Sequence, residues 1–348
     1  MRAPARLSRF RDPLRWLCAL GLLLSACQGR SQAAVSSNEA ALVPLRLGGP
    51  WSAAAGKTPK AIGPLGYALE LGKAQPILAR HGYRFERFVS FNNGPPIVQA
   101  LQAGSIELGT LGDTPAVSGR AGGVDTRAVL IDKPTGDAWF LAKKGGVTRV
   151  AELRGKRVGV QFGSNFDKYG RGVLAAAGIL PEVQLLNIPI AEGLGALTRG
   201  DIDGYALPAN TAATWVDQQG FPVLDRASRT HPELQGTLVT LVTSKFLREH
   251  PNIQAALWEA TAAGIQEIAR DRAAYLRFLA DTSGHSLAVL EQTQLLEFGA
   301  QPIDPAGKAS VGSTLQFLLQ FGTAKAAFSV DEWVVPGAGV GGVTKEPS

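Results

Sequence analysis

The feature that most constrains this 348-residue chain is a strand–helix alternation that runs its course twice. Leu42 to Leu47 is a short apolar strand ending in Gly48-Gly49-Pro50, and Leu65 to Arg80 has helical spacing as far as His81-Gly82. Arg84 to Phe91 alternates like a strand, Ile97 to Ala103 is helical up to Gly104, and Ile106 to Leu111 is a strand. Pro115 to Ala121 is a short helix stopped by Gly122-Gly123, and Thr126 to Ile131 is a strand. The grammar then restarts. Strands at Ala138 to Ala142, Arg157 to Gln161, Val183 to Ile188 and Ile202 to Leu207 alternate with a helical turn at Val150 to Leu153 and helices at Asp167 to Ala177 and Ala191 to Thr198. Such alternation predicts parallel sheets covered on both faces, hence an α/β chain of two lobes, each a mostly parallel sheet flanked by helices.

A late strand, Thr237 to Thr243, precedes a helical block from Asn252 to about Phe321. A strand that returns after the second series implies a chain that crosses between lobes twice, and two crossings make a hinge. The crossings are expected near Asp132 to Asp137 and Asp225 to Gly236. The expected division is lobe 1 at 42–133 and 237–325, lobe 2 at 134–236, and a C-terminal tail at 326–348, its glycine-rich end from Gly337 frayed.

The first stretch stands apart from this pattern. Arg2, Arg6, Arg9, Arg11 and Arg15 face a single acid, Asp12, and an apolar run from Trp16 to Leu24 follows. A basic segment, an apolar core and small residues make a secretory signal. The run is shorter than the roughly 20 apolar residues a bilayer span needs. Leu24-Ser25-Ala26-Cys27 resembles the bacterial lipoprotein box, which implies cleavage of residues 1–26 and a lipid on Cys27. Residues 28 to 41 then read as a flexible tether, so 27–41 is an acylated linker that anchors the chain to a membrane on its periplasmic or cell-surface side. Removing the five arginines and Asp12 takes the formal net charge from +6 to +2. No basic patch interleaved with aromatics remains to bind nucleic acid. Cys18 leaves with the signal and Cys27 carries the lipid, so no disulfide is expected and a large core must supply the stability.

Motifs for chemistry are wanting. Gly56-Lys57-Thr58 follows a strand, but a phosphate loop needs glycine at position 51, which is Trp. Gly337-Ala338-Gly339-Val340-Gly341-Gly342 looks dinucleotide-like without a helix after it. His81, His231, His250 and His285 are scattered with no metal-ligand spacing, and no Gly-x-Ser-x-Gly elbow occurs. Glu152, Asp167, Glu182 and Glu192 form no pair suited to glycoside chemistry. The expectation is therefore a binder: no catalytic residues, no metal, no cofactor.

Ligands of open α/β sheets bind beyond the carboxyl ends of the strands. The turns there are rich in small polar residues: Gly48-Gly49-Pro50-Trp51-Ser52, Ser90 to Pro96, Gly112-Asp113-Thr114-Pro115, Gly163-Ser164-Asn165 and Pro208-Ala209-Asn210-Thr211. Thr114-Pro115 and Ser164-Asn165 look like helix starts, whose free amides and dipole attract an anion without lysine or arginine. Any one such turn serves equally to cap its helix; their occurrence in both lobes points to a site. Trp51, Asn92, Asn93, Asp113, Thr114, Ser164, Asn165 and Asn210 are the candidate ligand contacts.

Several stretches resemble the periplasmic binding proteins of aliphatic sulfonate, taurine and nitrate importers. They are Gly94 to Gly109, Gly112 to Pro115, Glu152 to Val160, Gly163-Ser164-Asn165, Gly200-Asp201-Ile202-Asp203-Gly204 and Ser244 to Pro251. The similarity runs over roughly residues 43 to 325. It implies a type II periplasmic-binding fold whose lobes close on ligand at the hinge, with oxyanion contacts from the turn after the third strand and from the Gly-Ser-Asn turn. Thr114, Ser164 and Asn165 therefore come first. It also implies a monomer that delivers a small organic anion to an ABC permease in the inner membrane. The family's Trp-Asp-Pro segment is replaced here by Leu207-Pro208-Ala209-Asn210. Nitrate, an aromatic acid or a thiamine pyrimidine precursor are alternative ligands, and a pyrimidine-synthesis enzyme on the same fold is the rival activity.

Overall fold

The computed structural model describes residues 42–51 and 53–337. The expected signal (1–26), Cys27, the tether (27–41), Ser52 and the end of the tail from 338 lie outside the described residues. The described residues form one compact unit.

The first series is β1 (Val43–Gly49), α1 (Gly63–Glu70), α2 (Ala74–Arg80), β2 (Tyr83–Ser90), α3 (Gly94–Gln102), β3 (Leu108–Gly112), α4 (Asp113–Ala121) and β4 (Thr126–Ile131). The second is β5 (Ala138–Ala142), β6 (Arg157–Val160), α5 (Asn165–Ala176), β7 (Gln184–Asn187), α6 (Ile190–Arg199), β8 (Gly204–Pro208), α7 (Ala209–Gln219), β9 (Val223–Arg226) and α8 (Ala227–Thr230). Then come β10 (Leu238–Thr243), α9 (Ser244–Glu249), α10 (Ile253–Arg270), α11 (Arg272–Ser283), α12 (Leu287–Thr293), α13 (Pro305–Gln320) and α14 (Val330–Trp333).

Two five-stranded sheets result, in the orders β2-β1-β3-β10-β4 and β7-β6-β8-β5-β9. In each, the fourth strand alone runs against the rest: β10 is antiparallel to β3 and β4, and β5 to β8 and β9. The reversed strand is in both cases the one that has just crossed from the other lobe. The two crossings lie side by side, because Gly136 and Gly236 exchange both backbone hydrogen bonds at 2.9 and 3.0 Å. A Cβ on Gly136 would stand 2.8 Å from the Gly236 carbonyl oxygen, so only glycine permits this approach. All parallel strands thus end toward the hinge, where α3, α4, α5 and α7 begin.

Each lobe carries apolar layers on both faces of its sheet. In lobe 1, Ile97, Leu111, Ala128 and Val311 pack on one face and Leu45, Leu78, Val129 and Leu257 on the other. In lobe 2, Leu141, Tyr205, Leu207 and Trp215 oppose Phe140, Val158, Tyr169 and Leu174. Three details differ from the sequence pattern. The helical spacing from Leu65 to Arg80 is split by Leu71–Lys73, where Gly72 sits at φ +69°. The strand β9 has no counterpart among the predicted strands; its Asp225 and Arg226 make it read as a connection, yet it pairs with β5. The stretch expected as tail from 326 joins lobe 1: Trp333 is 1 % exposed, and Val334 and Ala128 form a parallel bridge.

Beyond the two backbone crossings, α12 ties the lobes a third time. It lies against α7, with Val289 in the core beside Trp215, and the Thr214 hydroxyl meets His285 Nδ1 at 2.9 Å. Burial holds the His285 imidazole below its ordinary range.

Candidate functional site

The N-termini of α4 and α5 face each other across the line where the lobes meet. Each begins where a strand ends, at Gly112 and just past Val160, so their first backbone amides point into the seam. Asn165, the first residue of α5, reaches into lobe 1, where its Oδ1 accepts the Thr114 amide at 3.1 Å. Its side chain sits in a socket of two glycines. A Cβ at Gly112 would stand 2.3 Å from Asn165 Oδ1, and one at Gly236 would stand 2.2 Å from its Nδ2.

Two more hydrogen bonds cross nearby. Gln161 Nε2 donates to the Asn92 carbonyl at 3.3 Å, and Asn93 Nδ2 donates to the Phe162 carbonyl at 3.2 Å. The Asn93 Oδ1 also accepts the Gly94 amide at 2.7 Å, capping α3. Ser164 stays within its own lobe. Its hydroxyl donates to the Gln161 carbonyl at 2.6 Å and accepts from the amides of Phe166 and Asp167. The Gly163 amide is taken by Asp167, whose other oxygen pairs with Arg171 at 2.7 Å.

Asp113 and Thr114 are buried, 0 and 2 % exposed. The Asp113 Oδ2 accepts from Lys168 Nζ at 3.1 Å and from the Thr314 hydroxyl at 2.5 Å. Among the described residues, three buried side-chain polar atoms have no protein partner: Asp113 Oδ1, Thr114 Oγ1 and Gln235 Nε2. The main chains that carry them run close together. The Asp113 amide donates to the Thr237 carbonyl at 3.0 Å, two residues past Gln235, and Gly236 between them touches Asn165.

The structure therefore gathers Asn92, Asn93, Asp113, Thr114, Ser164 and Asn165 at one seam. Trp51 and Asn210 are not hydrogen-bonded to that group. Trp51 stacks on Phe88 within lobe 1 at 5.6 Å, its carbonyl accepting the Ser90 hydroxyl. The Asn210 side chain caps the Thr211 amide, and its carbonyl accepts from Thr214. Gln161, Lys168, Gln235 and Thr314 belong to the seam and were missed. Lys168 lies one turn into α5, outside the turn itself, although helix side chains tilt back toward the N-terminus and reach the preceding turn.

Asp132 closes β4 at the hinge. Its carbonyl accepts the Thr237 hydroxyl at 2.5 Å, and its carboxyl is pushed up to about 7 by burial and by the charge of Asp304. A hollow of about 300 Å³ lies at the opposite end of β5, against Lys143, Arg199 and Phe221. Two of the three cations that line it are already paired, Lys143 with Asp203 at 2.7 Å and Arg199 with Asp201 at 2.8 Å, and the third, Lys144, lies over the Phe221 ring at 5.9 Å. The seam, with unpaired buried groups, is the better candidate.

Known proteins resemble this chain in sequence and in fold. The chain is 29% identical over 176 residues to a putative aliphatic sulfonates-binding protein of Escherichia coli (strain K12), covering 46% of this chain and 54% of the relative. It is 28% identical over 179 residues to the taurine-binding periplasmic protein of the same organism, covering 48% and 52%. The chain thus spans about half the length of the curated relatives it matches. The alkanesulfonate-binding protein SsuA from Xanthomonas axonopodis pv. citri, solved bound to MOPS, superposes with a TM-score of 0.69 at 23% identity, over 84% of this chain and 98% of that one. The fold is thus that of the periplasmic binding proteins, as the resemblance implied. Residues 89–273, more than half of the chain, match the family NMT1/THI5 like, and the chain belongs to that family.

Proposed function

We propose that this protein is the solute-binding component of an ABC importer, which captures a small organic anion of the aliphatic sulfonate or taurine type by closure of its lobes and delivers it to a permease. The protein acts by binding and carries out no covalent chemistry. It works as a monomer on the periplasmic or cell-surface side of the membrane, held by a lipid on Cys27 after removal of residues 1–26. The relatives named above support the ligand class. The observation that carries the reading is the set of orphaned groups at the seam. Buried polar groups are nearly always hydrogen-bonded. The Thr114 hydroxyl and the Gln235 amide, both buried and unpaired, can each donate to an oxyanion held at the start of α4.

Ligand contacts come from Thr114, Ser164 and Asn165 first, with Asn92, Asn93 and Asp113 around them and Trp51 and Asn210 at the margins. Closure follows from a difference in affinity between the two states, since the ligand touches both lobes only when they meet. The test is calorimetry with alkanesulfonates and taurine, with nitrate, aromatic acids and pyrimidines alongside. Sulfonate binding that Thr114→Ala or Gln235→Ala weakens by about 1–3 kcal/mol, the cost of leaving a polar partner unpaired, is the expected result. Binding of another class alone would replace the sulfonate assignment, and no binding by any of them would end the proposal.

A further inference from the structure

We propose that Asp113, Lys168 and Thr314 form an interlobe latch that sets how far the two lobes stand apart. Lys168 comes from α5 of lobe 2, whereas Asp113 starts α4 and Thr314 lies on α13, both of lobe 1. The lysine Nζ donates to Asp113 Oδ2 at 3.1 Å and to Thr314 Oγ1 at 2.9 Å, and that hydroxyl donates to the same carboxylate oxygen at 2.5 Å. The triangle is closed, with the two charged side chains 3 and 0 % exposed.

Nothing within lobe 2 accounts for this lysine. It stands one turn into α5, close to the positive end of the helix, which disfavours a cation. The nearest carboxylate on its own helix, Asp167, is occupied by the Gly163 amide and by Arg171. Asp113, in contrast, sits where the start of α4 favours an anion. The pair therefore satisfies two helix ends only while the lobes meet. When they part, both charges return to water. When they meet with one partner missing, the other is stranded in the seam, which is far costlier than replacing both by apolar groups.

The test needs no ligand, so it stands or fails apart from the transport reading. Small-angle X-ray scattering of the purified chain reads the separation of the lobes. Lys168→Met strands Asp113, and the expected result is a larger radius of gyration. The stranded charge shifts the open-to-closed ratio on the order of 100-fold. The pair Asp113→Leu with Lys168→Met leaves no buried charge and is expected to return to the wild-type curve. Thr314→Val, which keeps both charges, gives a smaller expansion and serves if Lys168→Met does not fold. Single variants that scatter like the wild type, or a wild type whose curve already fits separated lobes, would overturn the latch.

Discussion

Truncation before residue 326, or the single change Trp333→Ala, tests whether the C-terminal segment is structural. Trp333 is 1 % exposed and lies in the lobe 1 core with Ala128, Ile131, Val311 and Leu315. It meets Phe328 edge-on at 5.4 Å, and its Nε1 donates to the hydroxyl of buried Thr126 at 3.3 Å. The main chain is held as well: the Val335 amide donates to the Ala128 carbonyl at 2.9 Å, and Arg127 Nε donates to the Trp333 carbonyl at 3.0 Å. A large aromatic side chain buries about 150–250 Å², which at about 25 cal/mol per Å² gives about 4–6 kcal/mol as an upper bound. Measured Trp→Ala losses of about 3–5 kcal/mol agree with that range. The unpaired Thr126 hydroxyl adds to the loss by about 1 kcal/mol or more. We expect Trp333→Ala to lower unfolding stability by about 4 kcal/mol, a large part of the 5–15 kcal/mol typical of a folded domain. Urea titration followed by far-ultraviolet circular dichroism measures it. Equal midpoints for wild type, Trp333→Ala and the truncated chain would show that residues 326–337 contribute nothing, and the packing argument would fall.

Three further outcomes follow from close approaches and charge. Gly264 lets α10 cross α1, since a Cβ there would stand 1.9 Å from the Pro64 carbonyl oxygen; Gly264→Ala should lose about 1–3 kcal/mol in the same titration, whereas Gly312→Ala, with open space around it, should be neutral or gain a few tenths. Gly236→Ala should push Asn165 from its socket and enlarge the radius of gyration; a scattering curve unchanged from wild type would mean that the socket does not hold the lobes together. Asp132 titrates near 7 in the folded chain against 3.8 ordinarily, so the native state holds a proton that the unfolded chain has lost between about pH 4 and 7. Stability therefore falls as pH rises through that window, by at most roughly 4 kcal/mol, and the partial exposure of Asp132 brings the loss below that bound. Asp132→Asn should raise stability at pH 8 and leave it unchanged at pH 4; an equal effect at both would refute the assignment.

The alternation of strand and helix made the two lobes, the late return of β10 and the position of the hinge readable, because each rests on periodicity and on glycine stops within a few residues. Turn composition also led to the seam. Thr114 and Asn165 are polar residues at expected helix starts and Asn93 a polar residue of a strand-end turn, and the lobes bring those turns together. Trp51 and Asn210 met the same local criterion, but their partners are Phe88, Ser90 and Thr214, which a turn's composition does not reveal. Lys168 and Thr314 meet across 146 positions of sequence, and no local signal carries such a pairing. The docked tail was more legible than the reading allowed. Phe328, Trp333 and the Ser329-x-x-Glu332 start of α14 are core and capping signals in a short stretch, and the Ser329 hydroxyl does accept the Glu332 amide at 3.2 Å.

The character of the seam explains how so small a contact could govern a clamp. Three side-chain hydrogen bonds join the facing turns, and one ion pair closes beside them. Each hydrogen bond contributes about 1 kcal/mol net, because water satisfies the same groups when the lobes part. A buried ion pair roughly breaks even against its desolvation. The protein's own contacts therefore favour closure by only a few kcal/mol, set against the freedom the lobes lose on meeting. A ligand bound at micromolar strength brings about 8 kcal/mol, more than enough to decide the balance if it contacts both lobes. An apolar seam of the same size would have closed the lobes permanently. On the function proposed above, the polar seam, with its glycine socket, leaves the choice of state to a ligand that satisfies Thr114 and Gln235.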